Sequence, residues 1–89
     1  MPDKNGWNSI KEDGYPDIKK PLWYFFEMLG TFHGEYIGAF REEIDYRGKH
    51  YSYDVHYFGG KHGFLGDDVS HWQYGDPENK PSNPEGFDG

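Results

Sequence analysis

Five histidines stand in this chain of 89 residues: His33, His50, His56, His62 and His71. Imidazole ligates metals and moves protons near neutral pH, so their spacing comes first. His50 and His56 are six residues apart. On one extended strand that is about 20 Å, too far to share an ion. A tight turn at Gly59-Gly60 would set Tyr57 opposite His62 and leave His56 diagonal to it. A third ligand would have to come from Asp67, Asp68 or His71. The metal candidates are therefore His56, His62 and His71, and no C-x-x-C, H-E-x-x-H or EF-hand spacing supports them. Polar positions on strand faces, paired with acids such as Asp45, account for the histidines more simply. Neither metal nor cofactor is expected.

Nucleophiles fare no better. "HGE" at 33–35 sets an imidazole and a carboxylate two apart, a pair able to do acid–base work. A chain reversal over Thr31 to Gly34 explains it at less cost. Ser70-His71 reads as a poor nucleophile–base pair, because neighbours on a strand point to opposite faces. Ser9, Ser52 and Ser82 have no base beside them in sequence. "FGGKHGFLG" at 58–66 lacks the G-x-x-x-x-G-K-[ST] spacing of a phosphate loop. Cysteine is absent, which excludes disulfides and thiol catalysis. No catalytic residue emerges, and the chain does not read as an enzyme.

Sixteen acids against nine Lys and Arg give a net charge of −7. That sign opposes nonspecific binding of nucleic acid or anionic membrane. Glu42, Glu43, Asp45, Asp67 and Asp68 could line one edge and imitate DNA phosphates, yet Arg41, Arg47, Lys49 and Lys61 interrupt them. Solvated surface charge is the simpler reading. No apolar run approaches a membrane span, and "MPDKNG" is no signal peptide. A cytoplasmic protein is expected.

Such residues must be positioned by a thin core. A domain of this size hides only roughly 60–65% of the surface its unfolded chain exposes. Seven Phe, eight Tyr and three Trp, 20% of the chain, would have to supply that core. Half-buried Tyr needs a wet or bonded hydroxyl, which favours a sheet over a helical bundle. "PLWYFFEML" (21–29) reads as a buried strand, with a one-sided helix as the alternative. From 35 to 60, a two-residue turn at Arg47-Gly48 pairs Tyr46 with Lys49, Asp45 with His50 and Ile44 with Tyr51. Tyr36, Gly38, Phe40 and Ile44 then share a face with Tyr57, Val55, Tyr53 and Tyr51, and Arg41 meets Asp54 on the other. Glu42 falls on the apolar face. Gly38 would leave room for the Tyr57 ring. Turns at Gly59-Gly60 and at 66–68 lead into "VSHWQY", whose alternation puts Trp72 in the core and His71 on the reverse. Residues 1–6 read as a tail. Residues 75–89, with four acids, three Pro and three Gly, read as a disordered acidic tail.

The expected fold is mainly β, or small α+β, in a single domain over 7–74. It is an antiparallel meander of four to five strands, curled or barrel-like, around aromatic rings. A short helix over 8–15 is compatible with it.

Four blocks also follow a known order. Trp7, Ser9, Ile10, Lys11 and Pro16 fit an opening W-I-S-V-K-D-R-L-P, with one extra residue before the proline. Pro21, Leu22 and Tyr24 fit P-V-L-V-Y, and Ile37, Gly38 and Phe40 fit I-G-Y-Y. Val69, Ser70, His71 and Trp72 fit a closing V-T-H-W-M-P-L-P, whose M-P-L is Gln73-Tyr74-Gly75 here. Spread over residues 7–74, the blocks resemble the small phage and prophage family known as domain of unknown function 551. The resemblance implies a phage accessory protein that modulates its host, with no established reaction. Trp7, Ser9, Ile10, Pro16, Gly38, His71 and Trp72 would then be a structural motif, and Trp7 could pack on Trp72 to tie the ends of the domain.

Three functions fit these residues. The first is a non-enzymatic accessory protein binding a host protein through exposed aromatics and acids. The second is a small-ligand or metal-binding protein using the His-rich hairpin. The third is an acidic antagonist of a nucleic-acid-binding host or defence factor. No direct nucleic-acid or membrane partner is expected.

Overall fold

The computed structural model describes residues 2–60, 65–66 and 68–87, with the backbone alone at 65–66. It is mainly β: β1 (Asn8–Ser9), α1 (Ile10–Asp13), β2 (Leu22–Phe26), β3 (Gly30–Tyr46), β4 (Lys49–Gly59), β5 (Leu65–Gly66) and β6 (His71–Tyr74). The strands form one sheet in the order β1-β6-β2-β3-β4-β5, with every pairing antiparallel. The sheet does not close into a barrel. Only β2 to β5 run as a meander. β6 crosses back and enters between β1 and β2, so the last strand is interior rather than an edge.

β2 explains that placement. All five of its residues are buried, and a strand apolar at every position needs cover on both faces. Leu22, Tyr24 and Phe26 point to one face and join Tyr36, Phe58 and Trp72, with Ile10, Phe32 and Val69 packed beside them. Trp23 and Phe25 point to the other and join Trp7, with Phe87 against them. The two Trp rings therefore do not meet, although their segments pair, Asn8 with Trp72 and Ser9 with His71. Trp72 lies opposite Tyr24 on the first face, whereas Trp7 packs edge-on against Phe25 on the second, at 6.1 Å between centroids. Each instead clamps a coil segment. The indole N–H of Trp7 donates to Ser82 O at 2.7 Å, that of Trp72 to Gly14 O at 2.8 Å, and that of Trp23 to Asp76 O at 3.1 Å.

Both expected tails depart from the sequence reading. Asp3 accepts the N–H groups of Asn5 and Trp7 on Oδ1 and that of Glu85 on Oδ2. Asn5 Nδ2 donates to Asn83 O. Pro84 is fully buried, and the Phe87 ring lies 5.3 Å from Phe25. A segment with one large apolar residue cannot make a core of its own. Here the second face of the sheet supplies the apolar surface, and the segment supplies the cover.

The turns also differ from expectation. The reversal before β3 falls at Glu27–Leu29, and Thr31 to Gly34 lie within β3. β4 runs on through Gly59 and pairs Phe58 with Gly66, so the next connection is longer than the two residues Gly59-Gly60. The turn at Arg47-Gly48 stands as read. Both residues have positive φ, 52° and 76°, the signature of a hairpin turn whose twist matches its strands.

Candidate functional site

β3 and β4 outrun the sheet that holds them. β2 covers β3 only from Gly30 to Gly34, and β5 touches β4 only at Phe58 and Gly59. Beyond those contacts the two strands pair only with each other, from Gly38↔Tyr57 to Tyr46↔Lys49. Among the described residues this ribbon has unpaired edges and, beyond its base, where Tyr15 stacks on His56 and Val55 is buried, two open faces. It accounts for the elongated shape, 47 × 27 × 22 Å.

A bulge sets the faces of the ribbon. Ile37 is skipped between the pairs Tyr36↔Phe58 and Gly38↔Tyr57, and Gly38 takes φ 127°, a conformation other residues rarely adopt. Beside it a Cβ would meet only Ile18, at 3.9 Å. Backbone freedom, not space for Tyr57, is what Gly38 provides. One extra residue reverses the facing of all that precedes it. Tyr36, expected beside Phe40, lies instead on the opposite face. There its hydroxyl is 2.7 Å from His56 Nδ1, and the Tyr15 ring stacks on His56 at 3.7 Å.

From Gly38 outward the expected register holds. Phe40, Glu42, Ile44 and Tyr46 lie across from Val55, Tyr53, Tyr51 and Lys49 on one face. Phe40, Ile44, Tyr46, Tyr51 and Tyr53 are each 47–56% exposed, a row of rings and one isoleucine touched at its ends by the Tyr57 ring beside Phe40 and the Arg47 guanidinium over Tyr46. Glu42 sits within this row and accepts the Tyr57 hydroxyl at 3.3 Å. The reverse face is polar and satisfies itself. Arg41 pairs with Asp54 at 3.2 Å and donates to Ser52 Oγ at 2.8 Å, while His50 bridges Asp45 at 2.8 Å and Glu43 at 3.3 Å.

The other candidates are scattered. His56 is held by Tyr36 and Tyr15 on one face of the sheet. His71 lies across from Phe25 in β6, its ring 5.5 Å from Phe87 on the other face. His62 lies outside the described residues. No group of three metal-ligating side chains gathers among the described residues. His33 sits in β3, edge-on to Trp23 at 4.8 Å, and its Nε2–H donates to Gly75 O at 2.8 Å.

Ser70 and His71 do meet, against the alternation argument. Ser70 precedes β6 and is free of its pleat, so Oγ comes 2.8 Å from His71 Nδ1. The hydroxyl donates to Phe25 O at 3.3 Å. The hydroxyl therefore stands between a backbone carbonyl and the imidazole, and the His71 tautomer sets the direction of the shorter contact.

Ser9 heads α1 and pairs with His71. Ile10 N–H donates to Ser70 O, and Pro16 is buried. Apart from Gly38, which sits at the base of the ribbon, the motif residues thus lie in the scaffold at the β1–β6 end. Sequence reasoning missed Asp3, whose carboxylate joins both ends of the chain. Burial raises its pKa, but three backbone N–H groups outweigh that and hold it below the ordinary carboxylate value. An Asp two residues before Asn-Gly was the available signal, since Asp folds back on backbone N–H groups in such turns.

No family model, curated protein or solved structure matches the chain. No helix among the described residues is long and apolar enough to cross a membrane.

Proposed function

We propose that this protein works by binding another protein, with the β3–β4 ribbon as its contact element. The uncovered row Phe40, Ile44, Tyr51 and Tyr53 carries this reading. Large rings on a pre-formed, hydrogen-bonded scaffold contribute much of the energy of protein contacts, at little cost in ordering. The folded body has its own core on both faces of β2, so stability does not require that row to be exposed.

Catalysis is not part of this reading. Ser70 divides its hydroxyl between the Phe25 carbonyl and His71, and the four described histidines serve separate neighbours. A charge-mimic role draws less support, because Glu43, Asp45 and Asp54 are engaged by His50 and Arg41. The four sequence blocks support a phage or prophage accessory protein in the host cytoplasm, acting on a host protein.

The test is affinity capture from bacterial lysate with wild-type protein and with a Phe40→Ser/Tyr53→Ser variant. A host protein held by the wild type and released by the variant is the expected result. Capture untouched by the variant would remove the ribbon from the contact.

A further inference from the structure

We infer that the apolar face of the ribbon is closed by the same face of a second copy, giving a two-fold dimer. The inference rests on the ribbon being the contact element and names the partner of this one face. The host protein is then held by the polar faces and free strand edges that the dimer brings together, and Phe40→Ser/Tyr53→Ser releases it by splitting the dimer.

Area comes first. Four rings and one isoleucine, each about half exposed, present on the order of 500 Å² per copy, taking about 150–250 Å² for a whole aromatic side chain. Two copies together bury about 1,000 Å², the lower bound for a specific interface. The patch also stands at the upper end of what soluble monomers leave bare, about 300–600 Å². Two ribbons stacked about 10 Å apart bury these rings as a small sandwich.

Charge decides the orientation. The face carries Glu42 on one side of the central pair Ile44↔Tyr51 and Lys49 on the other, where the Arg47 guanidinium also lies over the Tyr46 ring. Pack two copies antiparallel about an axis through that central pair. Glu42 of each then lies at the level of Tyr46 and Lys49 of the other, and the opposite charges approach twice. Parallel packing would instead set the two Glu42 carboxylates level with each other in a water-poor layer, which is costly. The face is therefore self-complementary in one arrangement, as an isologous contact requires.

Sedimentation equilibrium on the full chain tests this. Wild type is expected to approach twice 10.4 kDa as concentration rises. Ile44→Glu is expected to stay monomeric. Glu42→Lys and Lys49→Glu should each weaken the dimer about tenfold or more, and the double swap should restore it, as paired charges do. Asp45→Lys, on the reverse face, should leave association unchanged, and circular dichroism checks that each variant folds. A monomeric wild type overturns the inference, as does a dimer indifferent to Ile44→Glu. Open-ended oligomers overturn it too, since they would mean pairing through strand edges. A monomer that still loses its host protein on Phe40→Ser/Tyr53→Ser sinks the dimer alone. If the dimer forms but capture ignores the ribbon, the binding reading fails instead.

Discussion

Gly34 in β3 and Gly59 in β4 approach so closely that a Cβ on Gly34 would overlap the Gly59 carbonyl. Neighbouring positions pair Glu35 with Gly59, so the ribbon is rooted in the sheet at two residues without side chains. Any side chain at 34 must push backbone, not a mobile side-chain end. Gly34→Ala is expected to cost about 3 kcal/mol, the upper end for overpacking. Gly48→Ala has open space and only a positive φ to violate, so it should cost about 1–2 kcal/mol. Urea unfolding of both variants checks the order. Equal costs would mean that the two strands separate freely at their root.

Removing residues 81–89 should expose the second face of the sheet. Trp7 would lose the Ser82 carbonyl, and its cluster the cover of Phe87. A red shift of tryptophan emission and a lower urea midpoint are expected. If the segment were a free tail, the truncated chain would melt like the full one.

The tryptophans on opposite faces should act independently. Trp7→Phe and Trp72→Phe each delete an indole N–H bonded to a backbone carbonyl, which leaves a carbonyl short of a partner and costs about 1–3 kcal/mol. Because the rings lie in separate clusters, the double variant should add within about 0.5 kcal/mol. Coupling well beyond that would place them in one cluster.

Alkaline pH should loosen the core through Tyr24. Burial pushes its hydroxyl up to about 12 from an ordinary 10.0, and burial, with Tyr15 alongside, raises Tyr36 as well. A raised pKa means that the folded chain holds the proton more tightly. The stabilisation is complete below pH 10.0 and is lost as pH climbs towards 12. Melting temperature should fall across that window, and Tyr24→Phe should flatten part of the slope. An unchanged slope in Tyr24→Phe would mean that the hydroxyl ionises freely in the folded state.

Much of the local architecture was legible in the residues. "LWYFF" announces a strand covered on both faces because no position in it is polar. Arg47-Gly48 and the cross-strand pairs Arg41↔Asp54 and Asp45↔His50 settle the ribbon's outer register, since a one-step slip would set Glu42 against Asp54. What failed was counting across a bulge. Gly38 reads as a strand glycine, but nothing in its neighbours says whether it spares a ring or turns the chain. The difference moves Tyr36 to the other face and, with it, His56's partner.

The sequence by itself determined the class of fold and the alternating two-faced ribbon, because side-chain alternation and turn chemistry act over a few residues. Only the tertiary structure decided that β6 returns to the centre, that Trp7 and Trp72 serve opposite faces, and that residues 75–87 form a cover. Those choices depend on which apolar surface remains unburied once β2 is in place. Such a surface belongs to the assembled sheet, and no window of the chain contains it.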